Sequence, residues 1–387
     1  MRLPLLLSLC FIPSFCAAVA IWPPPPPPPP PKPPILAHGR SQVYVQTFTT
    51  PDGQPINLLQ LLNQRTRVTH IYLASMHINE DPNDIHMNDY PPSAPLFDFV
   101  WPQVKKLQQN GVKVMMMLGG AAPGSYVRLS GTDEQFETYY RPLLAILRKY
   151  KIDGLDLDIE EWVDISVPLR LLRRLDKDLG PNFILTMAPV ASGLLPQYAY
   201  SLSGFDYLEL DKQAVSRTRP GGKLVNWYNC QFYNGWGDAT SQEFYNSIAG
   251  PGGAFDPSRV VLGVLVNPDL GWGYVPVAQL TDVIHQLRTT YPTFGGVIGW
   301  EYFDAGLSEG ITEPALWVKA ISNALFNPLT PVSVDHSTSN KPKISPPWPG
   351  PMNTLQGKGV GYFPALRALN MTGGDLGRAE SLVLPGH

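Results

Sequence analysis

Residues 153–160, Asp153-Gly154-Leu155-Asp156-Leu157-Asp158-Ile159-Glu160, decide how the rest of the chain is read. Apolar and acidic residues alternate here, the period of a strand whose successive side chains point to opposite faces. Leu155, Leu157 and Ile159 then share one face. Asp156, Asp158 and Glu160 share the other, with neighbouring acids about 6.6 Å apart along the backbone. An acidic row on a solvated edge strand would sit among polar or lysine-rich neighbours. Here the intervening residues are leucine and isoleucine, as in a strand buried on its other face. Carboxylates in such a setting cost heavily in desolvation and repulsion unless some hold protons or donors surround them. A fold accepts that mainly where the carboxylates do chemistry.

Working outward, similar apolar, β-branched runs occupy residues 43–48, 70–75, 113–118, 183–188, 228–233, 260–265 and 297–302. Helical periodicity separates most of them, at 96–109, 134–150, 168–179 and 277–290, and follows the last at 313–325. With 154–160 this alternation predicts an α/β fold, a closed parallel (β/α)₈ TIM barrel. A doubly wound sheet would want Gly-x-Gly-x-x-Gly after its first strand, and none is present. Catalytic side chains of a (β/α)₈ barrel sit at the C-terminal strand ends. Glu160, last in its strand, is therefore expected at the cleft, with Asp158 one step deeper and Asp156 deeper still. A like charge nearby, with partial burial, should raise the Glu160 pKa until it can serve as a general acid near neutral pH. The backbone spacing leaves stereochemistry open, since rotamers could bring the carboxyls to ~5–5.5 Å (retaining) or ~6.5–9.5 Å (inverting).

The chain has 387 residues, 44% of them hydrophobic, enough for one large barrel core. A formal charge of -3 and the lack of any long basic run argue against nucleic acid and against an electrostatic membrane anchor. Arg2, the apolar residues 3–15 and Ala18-Val19-Ala20 predict a signal peptide over residues 1–20, hence a secreted, extracellular protein not held in a membrane. A proline tract from Pro23 to Pro34, broken only by Lys32, makes residues 21–34 a polyproline II spacer. The barrel is expected over residues 35–327. Residues 328–387 open on a Pro-, Ser-, Thr- and Lys-rich stretch and are expected to be a disordered tail, with a glycosylation sequon at Asn370-Met371-Thr372. Of the three cysteines, Cys10 and Cys16 fall in the signal, leaving Cys230 as a packed thiol without an internal disulfide. No paired cysteines and no His-Glu-x-x-His are present, so no metal and no cofactor is expected. Gly119-Gly120 lacks the lysine and hydroxyl of a phosphate loop and suits close backbone approach at the barrel mouth. A monomer is expected.

The acidic run also matches the Asp-x-x-Asp-x-Asp-x-Glu signature of glycoside hydrolase family 18, which the chain resembles from about residue 41 to 326. Met117-Leu118-Gly119-Gly120, Leu185-Thr186-Met187-Ala188-Pro189, Gln231-Phe232-Tyr233-Asn234 and Gly296-Val297-Ile298-Gly299-Trp300 resemble other strand motifs of the family, in order. His86-Met87-Asn88-Asp89-Tyr90-Pro91-Pro92, Gly119-Gly120-Ala121-Ala122-Pro123-Gly124-Ser125 and Gly299-Trp300-Glu301-Tyr302-Phe303 are most similar to secreted fungal endo-β-N-acetylglucosaminidases and related fungal chitinases.

The resemblance implies retaining, substrate-assisted catalysis, in which the substrate's acetamido oxygen attacks the anomeric carbon. It implies that Glu160 is acid and then base, that Asp158 orients the acetamido N–H, and that Asp156 modulates Asp158 by sharing a proton. Tyr233 would donate to the acetamido carbonyl, and Trp300 would floor the -1 subsite. Tyr44, Gln231, Met187 and Tyr302 are further substrate-binding candidates, as are Trp236 and Trp272. The expected ligand is a GlcNAc-containing oligosaccharide, either an N-glycan core or chitin, cut at an internal β-1,4 bond. Only residues 266–296 separate the last two strands, too few for an inserted α+β domain, which implies an open cleft and favours the branched N-glycan. A non-catalytic, carbohydrate-binding relative would be expected to lack the terminal glutamate, and Glu160 is present.

Overall fold

Eight parallel strands close on themselves in the computed structural model, which describes residues 39–198, 202–329, 349–360, 365, 368–369, 372 and 375–383. The strands are β1 (Arg40–Val45), β2 (His70–Ile78), β3 (Ile85–Met87), β4 (Lys113–Gly119), β5 (Gly154–Asp158), β6 (Ile184–Met187), β7 (Trp227–Gln231), β8 (Val260–Leu265) and β9 (Gly296–Trp300). All except β3 form the ring, and β1 seals it by pairing in parallel with both β2 and β9. The short β3 folds back antiparallel on the end of β2; three residues are too few for alternation to mark it in the sequence. Each remaining strand falls on an expected apolar run. The expected runs end late, however: 154–160 pairs only to Asp158, and 228–233 only to Gln231. Glu160 and Tyr233 therefore lie just past the paired ends of their strands.

Alternation divides the side chains into two layers. Val43, Met116, Leu155, Leu157, Cys230 and Val264 point outward into the main core beneath the helices. Tyr44, Tyr72, Met115, Met117, Trp227, Val261 and Ile298 fill the barrel interior. The helices Val100–Gln109, Asp133–Lys149, Ser166–Leu179, Val277–Thr290 and Pro314–Phe326 cover the outside, at the expected places with ends moved by a few residues. Shorter helices, Tyr207–Gln213 and Glu243–Ala249, follow β6 and β7 and span too few turns to announce a period. Between β8 and β9 stand one helix and a 3₁₀ turn, Pro268–Leu270, with no inserted domain.

The expected signal peptide, the polyproline spacer and Asn370 of the sequon lie outside the described residues. Part of the stretch 328–387 is described. Helices Pro349–Gly357 and Leu376–Val383 form there, and their buried residues share one apolar cluster with Val190, Leu202 and Trp236 of the barrel. Its apolar residues, such as Met352, Leu355 and Leu369, are too sparse among glycines and polar residues to predict a core alone. The barrel supplies the other half.

Candidate active site

β5 carries Asp156 and Asp158 into the barrel interior, and the chain just beyond it carries Glu160 to the cleft. Asp153 closes the turn before the strand: its carboxylate accepts from Val114 N at 2.9 Å and Gln108 Nε2 at 2.8 Å. Asp156 is fully buried and surrounded by donors. Tyr44 Oη donates to it at 2.7 Å, Thr186 Oγ1 at 2.5 Å and Asn229 Nδ2 at 3.2 Å. Burial nevertheless dominates and pushes its pKa up to about 6 against the pull of those hydrogen bonds. Behind Asn229 the polar chain continues, with Trp227 Nε1 at 3.0 Å and Gln42 Nε2 at 3.4 Å from its Oδ1. Every donor in this chain sits inside a ring of apolar strands, where an unmade hydrogen bond would be expensive.

Asp158 stands well above the usual carboxylate range, through burial first, then the charges of Glu160 and Asp156, with Gln231 opposing. Gln231 Nε2 lies 3.1 Å from both Asp158 Oδ1 and Glu160 Oε1, and 3.1 Å from Ala188 O. One amide thus links the two outer acids. Three carboxyls so placed cannot all ionise together near neutral pH, so the row stores a proton. Tyr233 is buried beside them, its hydroxyl kept protonated by burial and by Asp158 and Glu160, with its pKa well above the phenol value. Trp300 meets Tyr44 edge to face at 5.3 Å between ring centroids.

A cleft of about 340 Å³ opens above these groups, lined by Asp158, Glu160, Gln231, Tyr233, Trp236 and Trp300. Gln46 and Ser75 are common to it and to a wider groove of about 850 Å³, walled by His77, His86, Asn88 and Tyr90. Glu161, next to Glu160, turns the other way: its carboxylate accepts from Gly124 N at 3.0 Å and Tyr126 N at 2.8 Å, fixing the loop after β4.

The structure brings Asp156, Asp158, Glu160, Gln231, Tyr233 and Trp300 together and leaves Met187, Tyr302 and Trp272 outside the cleft lining. Met187 is buried in the outer core, because alternation along β6 turns Thr186 inward and Met187 out. Tyr302 lies in the 3₁₀ turn after β9 and packs in the same outer core, away from the cleft. Tyr44 faces inward, yet its hydroxyl is engaged by Asp156 below the cleft. Trp272 is 40% exposed and absent from the cleft lining, whereas Trp236 lines it. Thr186 and Asn229 were missed. Each has a signal in the sequence: Thr186 sits one place from Met187 on the opposite face, and Asn229, Gln231 and Tyr233 alternate on one face of a single run.

Residues 40–240 match the family model described as Glycosyl hydrolases family 18. The chitinase ChiC of Aspergillus fumigatus is 46% identical, over 69% of this chain and 93% of that one, with a TM-score of 0.65. A fungal endo-beta-N-acetylglucosaminidase of the same family is 37% identical, over 74% of this chain and 98% of that one, with a TM-score of 0.68. Among curated relatives, Chitinase 2 of Rhizopus oligosporus is 28% identical over 51% of this chain, and the match spans 35% of that relative's length.

Proposed function

The chain belongs to glycosyl hydrolase family 18, and from that premise we propose that it cleaves internal β-1,4 bonds between GlcNAc residues by substrate-assisted catalysis with retention. The observation that carries the reading is the row Asp156, Asp158 and Glu160, linked by Gln231 and opening on the cleft lined by Tyr233 and Trp300.

Glu160 protonates the glycosidic oxygen, and the C1–O bond breaks as the substrate's acetamido oxygen attacks C1. Tyr233 donates a hydrogen bond to that acetamido carbonyl, and the apolar face of Trp300 supports the sugar ring. Positive charge grows on the oxazolinium that forms. Asp158 accepts from its N–H and balances the charge, its own proton passing to Asp156, whose pKa of about 6 lets it take one up. Glu160, now a carboxylate, removes a proton from the water that attacks C1, and the acetamido group is restored. The donors Tyr44, Thr186 and Asn229 favour the anion of Asp156 at rest, which leaves the stored proton on Asp158.

The substrate we propose is the chitobiose core of N-glycans, supported by the broad groove and by the lack of an inserted domain between β8 and β9. Chitin is the second reading, favoured by the 46% identity to the Aspergillus chitinase. The signal-peptide pattern of residues 1–20 supports action outside the cell; among the described residues no helix is long and apolar enough to cross a membrane.

Incubating the purified chain with a high-mannose glycoprotein and, separately, with a chitin hexamer tests the reading by mass spectrometry. The glycoprotein should be trimmed to one GlcNAc per asparagine, with a higher kcat/KM than the hexamer. An untouched glycoprotein beside rapid hexamer cleavage would make chitin the substrate, and inertness toward both would overturn the enzyme reading. Glu160→Gln should lower turnover on whichever substrate reacts by ~10²–10⁴; near-normal turnover would remove Glu160 from its role.

A further inference from the structure

Leu202 and Trp236 line the cleft beside Glu160, yet they are only 6% and 4% exposed. Neither lies on a barrel strand: Leu202 follows β6 and Trp236 follows β7, both in loops. Trp236 is tied locally by its backbone, its N–H to Tyr233 O at 3.0 Å and its carbonyl to Ser192 N at 2.8 Å. Both side chains pack in an apolar cluster to which the barrel gives Val190 and the C-terminal segment most of the other members. This cluster is separate from the main core and holds Met352, Leu355 and Leu369, each 0% exposed. The two helices of that segment are joined by an ion pair between Lys358 Nζ and Glu380 Oε1 at 2.6 Å.

We propose that the described part of the C-terminal segment, helices Pro349–Gly357 and Leu376–Val383 with Leu369, is the backing of this cleft wall. Met352, Leu355 and Leu369 are positioning residues: they hold Trp236 and Leu202 in place against the bound oligosaccharide and set how tightly an extended chain is gripped. An indole offers a sugar ring a flat apolar face, and holding it in place before binding removes the cost of ordering it on binding. Asp156 and Asp158 take their hydrogen bonds from the barrel residues Tyr44, Thr186, Asn229 and Gln231. The segment's effect therefore belongs in KM and not in kcat. The inference rests on the cleft being the oligosaccharide site proposed above.

The test uses the full chain with Leu355→Asp or Leu369→Asp, each placing a charge in the cluster, and Leu355→Met as the conservative control. With a chitin hexamer, KM should rise roughly threefold to tenfold while kcat stays within about twofold, and Leu355→Met should behave as the parent. Limited proteolysis should release the segment from the Asp variants and not from the parent. Trp236 emission, taken as the difference from a Trp236→Phe background, should move to the red in the Asp variants. An unchanged KM with the segment released would overturn the proposal, because the wall would then stand by itself. A segment cut equally fast in the parent, or Trp236 emission that does not move, would overturn it too. So would loss of kcat and KM together with collapse of the melting transition, which would make the segment part of the main fold. If the parent cuts no hexamer, the functional reading fails instead, and proteolysis with Trp236 emission still decides whether the segment holds the wall.

Discussion

Asp156 shows how much one buried side chain can set. Its pKa is raised from 3.8 to about 6, so the folded chain holds this proton more tightly than the unfolded one. Between those values the native state binds more protons than the unfolded state, and stability falls as pH rises through the window. The contribution is fully present below pH 3.8 and is gone above about 6, worth roughly 3 kcal/mol at its largest. Asp158, also raised, acts in the same direction. Asp156→Asn removes this titration, so its melting temperature should change less than the parent's between pH 4 and pH 7, even if it starts lower for want of an acceptor. Parallel melting curves for the two proteins across that range would contradict the raised pKa. That the acids share an inward row was legible in residues 153–160, because a period of two fixes facing without knowledge of the fold. That the Tyr44 hydroxyl donates to Asp156 was not legible, since it depends on β1 closing the ring 112 positions away.

At the scale of elements, the site depends on how closely β4 and β5 approach at their C-terminal ends. Gly119 has φ +100, and a Cβ there would stand 2.1 Å from Asp158 O and 2.7 Å from the Tyr126 ring. Gly120 N donates to the same carbonyl at 2.9 Å. Only glycine fits both the left-handed backbone and the contact. Gly119→Ala should therefore destabilise the chain by about 2–4 kcal/mol. It should also lower kcat, because relieving the clash moves the backbone of Asp158. Chemical denaturation and hexamer kinetics check both, and a variant with parental stability would show that β4 and β5 can separate without loss. The close approach of this glycine pair could be read from its place after an apolar run. The exact end of each strand could not, because side chains keep alternating after pairing stops, as from Asp158 to Glu160 and from Gln231 to Tyr233. Met187 stands one residue from the inward position: Thr186 is the only polar marker in a run otherwise buried on both faces, and one residue does not establish a period.

The whole barrel is held without a covalent staple among its described residues. β1 and β9 close the ring, and Arg40 fastens the seam by donating to Ser258 O at 2.9 Å and Gly295 O at 3.1 Å. Its guanidinium also lies 4.0 Å over the Trp227 ring. Ser322 Oγ reaches Ser41 Oγ at 2.7 Å, tying the last barrel helix to β1. Two nested apolar layers supply the rest, the outer one continuous from Val43 to Leu325. Cys230 belongs to that outer layer; it is free and fully buried, and burial pushes its thiol pKa well above the ordinary value. A thiol so placed has neither a partner nor the thiolate character that oxidation needs. For the chain without residues 1–20, which carry Cys10 and Cys16, the melting temperature should be the same with and without reductant. Cys230 should react with a thiol reagent only after denaturant is added. Rapid labelling of the native chain would mean that the layer between β7 and its covering helices opens freely. A fall in melting temperature under reductant would reveal a disulfide between chains, and the barrel's stability would then belong to an assembly and not to the single chain.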